Sequence, residues 1–171
     1  MTIVVTAKVS DGIVLAADSA GSFFGAGPTP IKIYNNANKI FNLRKVWPIG
    51  ALVYGNAGIG AASVETLSKD LRARLSDPKD HAYGLQEASY TVEEVAQKAR
   101  RFLFEEAYRT AYPTAPANFG MGYRVCGYSA GASLPEVWEF IILGADCDPP
   151  VKVQDQQEWG LRWAGENEAL D

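Results

Sequence analysis

The sequence predicts an α+β domain in which two antiparallel sheets are covered by helices. Three observations carry this reading. The chain opens on β-branched segments joined by a tight turn, two amphipathic helical segments follow one another in the middle, and strand-like segments return after them. No β-α-β alternation interrupts that order, so a parallel doubly wound sheet is not indicated. At 171 residues the chain is long enough for one domain, residues 1–171, burying roughly 70% of the surface its unfolded form exposes. Its 47% hydrophobic and 21% charged content excludes the disordered and low-complexity classes.

Thr2 to Val9 and Ile13 to Ala17 read as strands around the Ser10-Asp11-Gly12 turn. Gly21 to Pro30 is rich in glycine and proline and reads as a loop. Its adjacent Phe23 and Phe24 would pack on a neighbouring subunit, line a substrate groove or fold back onto the core. A second hairpin is predicted over Asn38 to Leu43 and Gly50 to Tyr54. From Gly60 to Leu75, the residues Ala61, Val64, Leu67, Leu71 and Leu75 recur at helical spacing, and Asp77-Pro78 ends that helix. Thr91-Val92-Glu93-Glu94 is a capping box opening a second helix. Its buried stripe is Val95, Ala99, Phe102 and Leu103, and Pro113 stops it. Met121 to Cys126 and Glu136 to Leu143 are strands around a turn, followed by a short strand at Val151-Lys152-Val153. The stretch from Trp163 to Asp171 reads as the opening of a third helix.

A net charge of −4 with scattered Lys and Arg gives no basic footprint for nucleic acid or an anionic membrane. Cys126 and Cys147 lie in apolar stretches and read as reduced, buried thiols. The first twenty residues lack a basic n-region, and Lys8, Ser10 and Asp11 interrupt any apolar run, so no signal peptide is expected. No stretch reaches the roughly 18 apolar residues of a membrane span, and a cytoplasmic protein is expected. One histidine and two distant cysteines point to no metal site.

Removal of Met1 would place a hydroxyl nucleophile and a free α-amine on Thr2, a known means of activating a weak nucleophile. That threonine opens a strand, and the return strand carries Asp11-Gly12-Ile13-Val14-Leu15-Ala16-Ala17-Asp18-Ser19. Asn38-Lys39-Ile40-Phe41 and Val53-Tyr54-Gly55-Asn56-Ala57-Gly58 follow. With these motifs the chain, from about Thr2 to about Val153, resembles the N-terminal-nucleophile hydrolases, and within them the proteasome β-subunit group with its bacterial relatives. The resemblance implies a four-layer αββα sandwich. It makes Thr2 the nucleophile, Lys39 an ammonium beside it, Asp18 the carboxylate that holds Lys39, and Gly55 a backbone oxyanion donor. It lines the substrate pocket with Gly21, Ala37, Phe41, Val53 and Ala57, small or apolar residues that suit an uncharged side chain. It also implies a peptide or protein substrate, a homo-oligomeric ring and no cofactor. Any ATPase activator and the ring size lie beyond the sequence.

Two departures accompany the resemblance. Ala20 stands where the group has an arginine after the Asp-Ser pair, and Ala164-Gly165-Glu166 lacks the serine that opens the group's third helix. That group continues with two more helices and further strands, so the chain reads as a version lacking the C-terminal part of the fold.

Two other motifs compete. Gly55 to Gly60 is glycine-rich like a dinucleotide loop, but the glycine order differs and no β-α-β unit surrounds it. Its place between a strand and the first helix suits an oxyanion donor instead. Gly127-Tyr128-Ser129-Ala130-Gly131 matches a nucleophile elbow, yet a strand rather than a helix follows, and the single histidine, His81, lies upstream. The function read from the sequence is therefore a threonine-type peptidase or amide hydrolase. The alternatives are a non-catalytic structural subunit that keeps Met1 and an amidase acting on a small molecule.

Overall fold

The computed structural model describes residues 2–24, 30–34 and 36–165. The opening hairpin pairs β1 (Ile3–Val9) with β2 (Gly12–Ala17). The segment predicted as a loop forms instead a second hairpin, β3 (Gly21–Phe24) with β4 (Pro30–Tyr34). Backbone pairing between Ser22-Phe23 and Lys32-Ile33 satisfies main-chain groups that an open loop would leave to water. The side chains of Phe23 and Phe24 and residues 25–29 lie outside the described residues.

β5 (Ile40–Asn42) and β6 (Ile49–Gly55) form the third hairpin. A two-rung ladder of β7 (Gly58–Ile59) with β8 (Ala62–Ser63) comes before the first helix. Helix α1 therefore runs from Val64 to Ser76 rather than from Gly60, because Ser63 Oγ accepts from Thr66 N–H at 3.1 Å and caps it. Of the predicted stripe, Val64, Leu67, Leu71 and Leu75 are buried, and Ala61 is exposed in the β7–β8 turn. Helix α2 (Val92–Arg100) starts at its capping box, where Thr91 Oγ1 accepts from Glu94 N–H at 3.0 Å. It continues through a π-helical stretch, Arg101–Tyr108, into a last turn, α3 (Arg109–Ala111). The wider π turns bring Leu103, Phe104 and Tyr108 inward together, and Phe102 is left only partly buried at the margin.

β9 (Gly120–Gly127) and β10 (Glu136–Leu143) are the long central strands, with β11 (Asp146–Cys147) and β12 (Val151–Gln154) beside β10. The predicted third helix is corrected where it overlaps the described residues, Trp163–Gly165. Gly160–Gly165 is strand β13, antiparallel to β1 from Ile3↔Gly165 to Lys8↔Gly160. This pairing satisfies one whole edge of β1, which a local helical propensity cannot do. A Cβ on Gly165 would lie 1.8 Å from the Thr2 carbonyl oxygen, so only glycine fits there. Residues 166–171 lie outside the described residues.

The strands make a three-stranded sheet, β13-β1-β2, and a six-stranded sheet, β11-β10-β9-β6-β5 with β12 on β10. The helices pack on the outer face of the larger sheet, and the smaller sheet packs on its inner face. Alternation along the strands divides the residues between the two faces. Phe41, Ala51, Val53, Tyr123, Val125 and Phe140 join the helical stripes in the apolar core. The fold is thus mixed α and β with antiparallel sheets. Three layers of the predicted sandwich are present, and no helix among the described residues covers the outer face of the small sheet.

Between the sheets the packing is partly polar. Thr6, Lys8 and Arg124 are all buried there. Arg124 Nη1 donates to Thr6 Oγ1 at 2.7 Å, and its Nε donates to Glu139 Oε1 at 2.9 Å. Burial, with the charge of the same Glu139 carboxylate, pushes the Tyr54 phenol upward.

Candidate active site

Thr2 stands immediately before β1, Asp18 immediately after β2, and Lys39 immediately before β5. The β1–β2 hairpin sets the first two side by side. Asp18 N–H donates to Ile3 O at 3.1 Å, and Asp18 Oδ1 accepts from Ile3 N–H at 2.8 Å. Lys39 comes from the other sheet, where Val53 N–H donates to its carbonyl at 3.0 Å. Its side chain, only 4% exposed, crosses to Asp18 Oδ1 at 2.8 Å and to Thr2 Oγ1 at 3.2 Å. A third donation, to the Ala20 carbonyl at 2.6 Å, completes the ammonium's shell. A lysine this deeply buried needs such partners, since an unpaired buried charge is strongly disfavoured.

Burial pushes the Asp18 carboxyl upward, but hydrogen bonds from Lys39 and from the Ile3 and Ala20 amides, with the Lys39 charge, outweigh it and leave its pKa lowered. Asp18 is therefore a carboxylate at neutral pH. The three side chains form one chain of polar contacts, carboxylate to ammonium to hydroxyl.

Gly55 ends β6 with φ +80°, and a Cβ there would lie 2.4 Å from the Gly120 carbonyl oxygen. It is not at a helix N-terminus, because the β7–β8 ladder separates it from α1. Its amide faces the Lys39 side for a different reason. N–H groups alternate along a strand, and that of Val53, two residues earlier, points to Lys39. Asn56 N–H turns the other way, to Gly120 O at 2.8 Å.

The five residues singled out for a substrate pocket divide. Phe41 and Val53 are core residues, 6% and 3% exposed, and Phe41 stacks on Tyr123. Ala37 is half-buried, with its N–H on Ser19 O at 2.9 Å, and Gly21 begins β3. Ala57 is exposed, and its carbonyl accepts from Val64 N–H at 2.9 Å. Ser129 is not an elbow: it lies in the β9–β10 turn, accepts from Val92 N–H at 3.0 Å and donates to Glu136 Oε1 at 2.8 Å. Cys126 and Cys147 are free and buried, and burial raises both thiols, Cys147 to about 11. Two features escaped the sequence reading. The Ala20 carbonyl is a backbone group with no residue signature, whereas the Arg124–Glu139 pair had a signal in an arginine within the apolar run Met121 to Cys126.

No protein-family profile matches the chain, and no curated protein is similar to it. Solved structures with the same fold are found. The fold is similar to that in the helical assembly of the Anbu complex from Pseudomonas aeruginosa, with TM-score 0.58 and 20% identity over 97% of this chain and 61% of that chain. It is also similar to an Anbu (Gly-1) mutant from Hyphomicrobium sp. strain MC1, with TM-score 0.59 and 16% identity over 98% of this chain and 62% of that one. The chain spans about three fifths of the length of these Anbu chains. Identities this low carry the fold and nothing finer. The assignment to the proteasome β-subunit group, drawn from short motifs, is therefore corrected: no family profile supports it, and what the chain shares with solved structures is the fold of Anbu chains. No helix among the described residues is long and apolar enough to cross a membrane.

Proposed function

We propose that this chain is an amide hydrolase of the threonine type, with Thr2 as nucleophile once Met1 is removed. One observation carries the reading: buried Lys39 donates to Thr2 Oγ1 at 3.2 Å while Asp18 holds it at 2.8 Å. A cation beside a hydroxyl stabilises the developing alkoxide, and a freed α-amine, with an ordinary pKa near 7.7 to 8.0, is a base poised at working pH. In the proposed reaction Thr2 Oγ attacks the amide carbonyl as its proton passes to the α-amine. The Gly55 amide stabilises the oxyanion. The leaving amine takes the proton from the α-ammonium, and water then hydrolyses the acyl ester, restoring Thr2.

The proposed substrate is a peptide, whose side chain would enter between Gly21, Ala37 and Ala57 over a floor of Phe41 and Val53. Buried, reduced Cys126 and Cys147 go with a cytoplasmic setting. Self-assembly is proposed from the fold shared with a chain found in a helical assembly. A second reading, a non-catalytic subunit of such an assembly in which a retained Met1 would block the amine, rests on the same shared fold.

Intact mass and turnover of fluorogenic peptide amides test the proposal together. The expected result is loss of Met1 with turnover that Thr2→Ala abolishes while circular dichroism is unchanged. Turnover retained in Thr2→Ala would remove Thr2 as nucleophile, and retained Met1 without turnover would favour the non-catalytic reading.

A further inference from the structure

The small sheet ends in a strand whose outer edge has no partner among the described residues. In an antiparallel sheet, the N–H and C=O groups of alternate residues point to opposite edges. Asp18 N–H donates to Ile3 O, so the odd residues of β1 bond to β2 and Val4, Thr6 and Lys8 bond to β13. Their partners there are Ala164, Arg162 and Gly160. Leu161 and Trp163 therefore direct their N–H and C=O groups to the open side.

Natural edge strands are shielded by lysines, prolines or bulges. From Glu158 to Gly165 this edge has no lysine or proline, and its register with β1 is unbroken. Trp159, Leu161 and Trp163 are 50%, 61% and 43% exposed. A cavity of about 480 Å³ lies along the edge, lined by Gln154, Glu158, Trp159, Leu161, Arg162 and Trp163. Gln154 Oε1 is buried on it with no hydrogen-bond donor among the described residues.

We propose that a second copy of this chain pairs with β13 through the same edge, antiparallel about a twofold axis, to make one continuous six-stranded sheet. The edge is self-complementary. With Leu161 opposite Leu161 of the second copy, Trp163 faces Trp159, while Arg162 lies opposite Gly160 and diagonal to both Glu158 and Arg162, so the apolar pairs carry this register. Centring the axis on Arg162 sets Arg162 against Arg162 and is disfavoured, and centring it on Gly160 sets Arg162 against Glu158 but takes Trp163 off Trp159 and onto Gln157. The interface is independent of the Thr2 chemistry.

Sedimentation of the chain across a concentration series, with residue-resolved amide exchange, tests this. A concentration-dependent dimer is expected in which the Leu161 and Trp163 amides gain protection, while the Arg162 amide, bonded to β1, is protected in monomer and dimer alike. Trp163→Lys is expected to weaken the dimer at least tenfold. Leu161→Pro, which removes an outward N–H and the leucine side chain but no N–H bonded to β1, is expected to do the same, with retained Arg162 protection reporting an intact sheet. A chain that stays monomeric at every concentration, a dimer whose Leu161 and Trp163 amides exchange freely, or variants that dimerise as tightly as wild type would each overturn the proposal.

Discussion

Lys39 can reach Thr2 Oγ1 and Asp18 together because the last residue before β5 faces the end of the β1–β2 hairpin. If the Thr2 reading holds, Lys39→Ala should lower turnover by about 10² to 10⁴ with little change in KM, the range typical of proton-transfer and electrostatic groups. Asp18→Asn should lower it too, with Lys39 losing its anchor. The Asp18 pKa is lower folded than unfolded. Its stabilising contribution is thus present above the unfolded value, about 3.9, and lost as pH falls through the folded value. Acid unfolding of Asp18→Asn should accordingly be shallower than that of wild type below about pH 4, measured by circular dichroism against pH. That Thr2, Asp18 and Lys39 come together was legible from the short motif each sits in, while their roles belong to the proposal. The Ala20 carbonyl was not, since any residue supplies a carbonyl.

At the scale of elements, the caps carry separable energies. Ser63→Ala removes the side-chain acceptor for Thr66 N–H and should cost about 1 kcal/mol, read as a lowered denaturant midpoint. Gly55→Ala should cost more, about 2 kcal/mol from the left-handed backbone alone, with the Gly120 carbonyl in the path of the new methyl. Apolar spacing made both helices legible. The start of α1 was not, because Gly58 to Ser63 pairs with itself in a ladder too short to show a period. The end of β13, Trp163 to Gly165, was misread as the opening of a helix because the contact that decides its form lies more than 150 residues earlier in the chain.

At the scale of the molecule, the face that the large sheet turns to the small one carries a buried ion pair as well as apolar groups, and Arg124 of that pair reaches Thr6 of the small sheet. Arg124 and Glu139 are 4% and 13% exposed and 2.8 Å apart. Glu139→Leu alone leaves a buried guanidinium uncompensated and should destabilise by about 3 to 5 kcal/mol. Arg124→Met with Glu139→Leu should recover most of that loss, because removing both charges also removes their desolvation cost. Denaturant unfolding of the two variants checks this, and equal losses in both would show that Arg124 acts through packing alone. Strand content and layer order were legible from pattern. The contact from Arg124 to Thr6 was not, since which strands of the two sheets lie opposite each other is set by the whole topology.

The pairing of Ile3 with Gly165 also sets an order in time. During synthesis β1 and β2 emerge together, yet β1 keeps one bare edge until the ribosome has delivered almost the entire described chain. Closing so long a loop is slow relative to hairpin formation. For that interval Thr2 lacks the glycine backbone that finally lies against its carbonyl. If the Thr2 reading holds, removal of an initiator methionine has that whole interval in which to act, before the last strand pairs with the first.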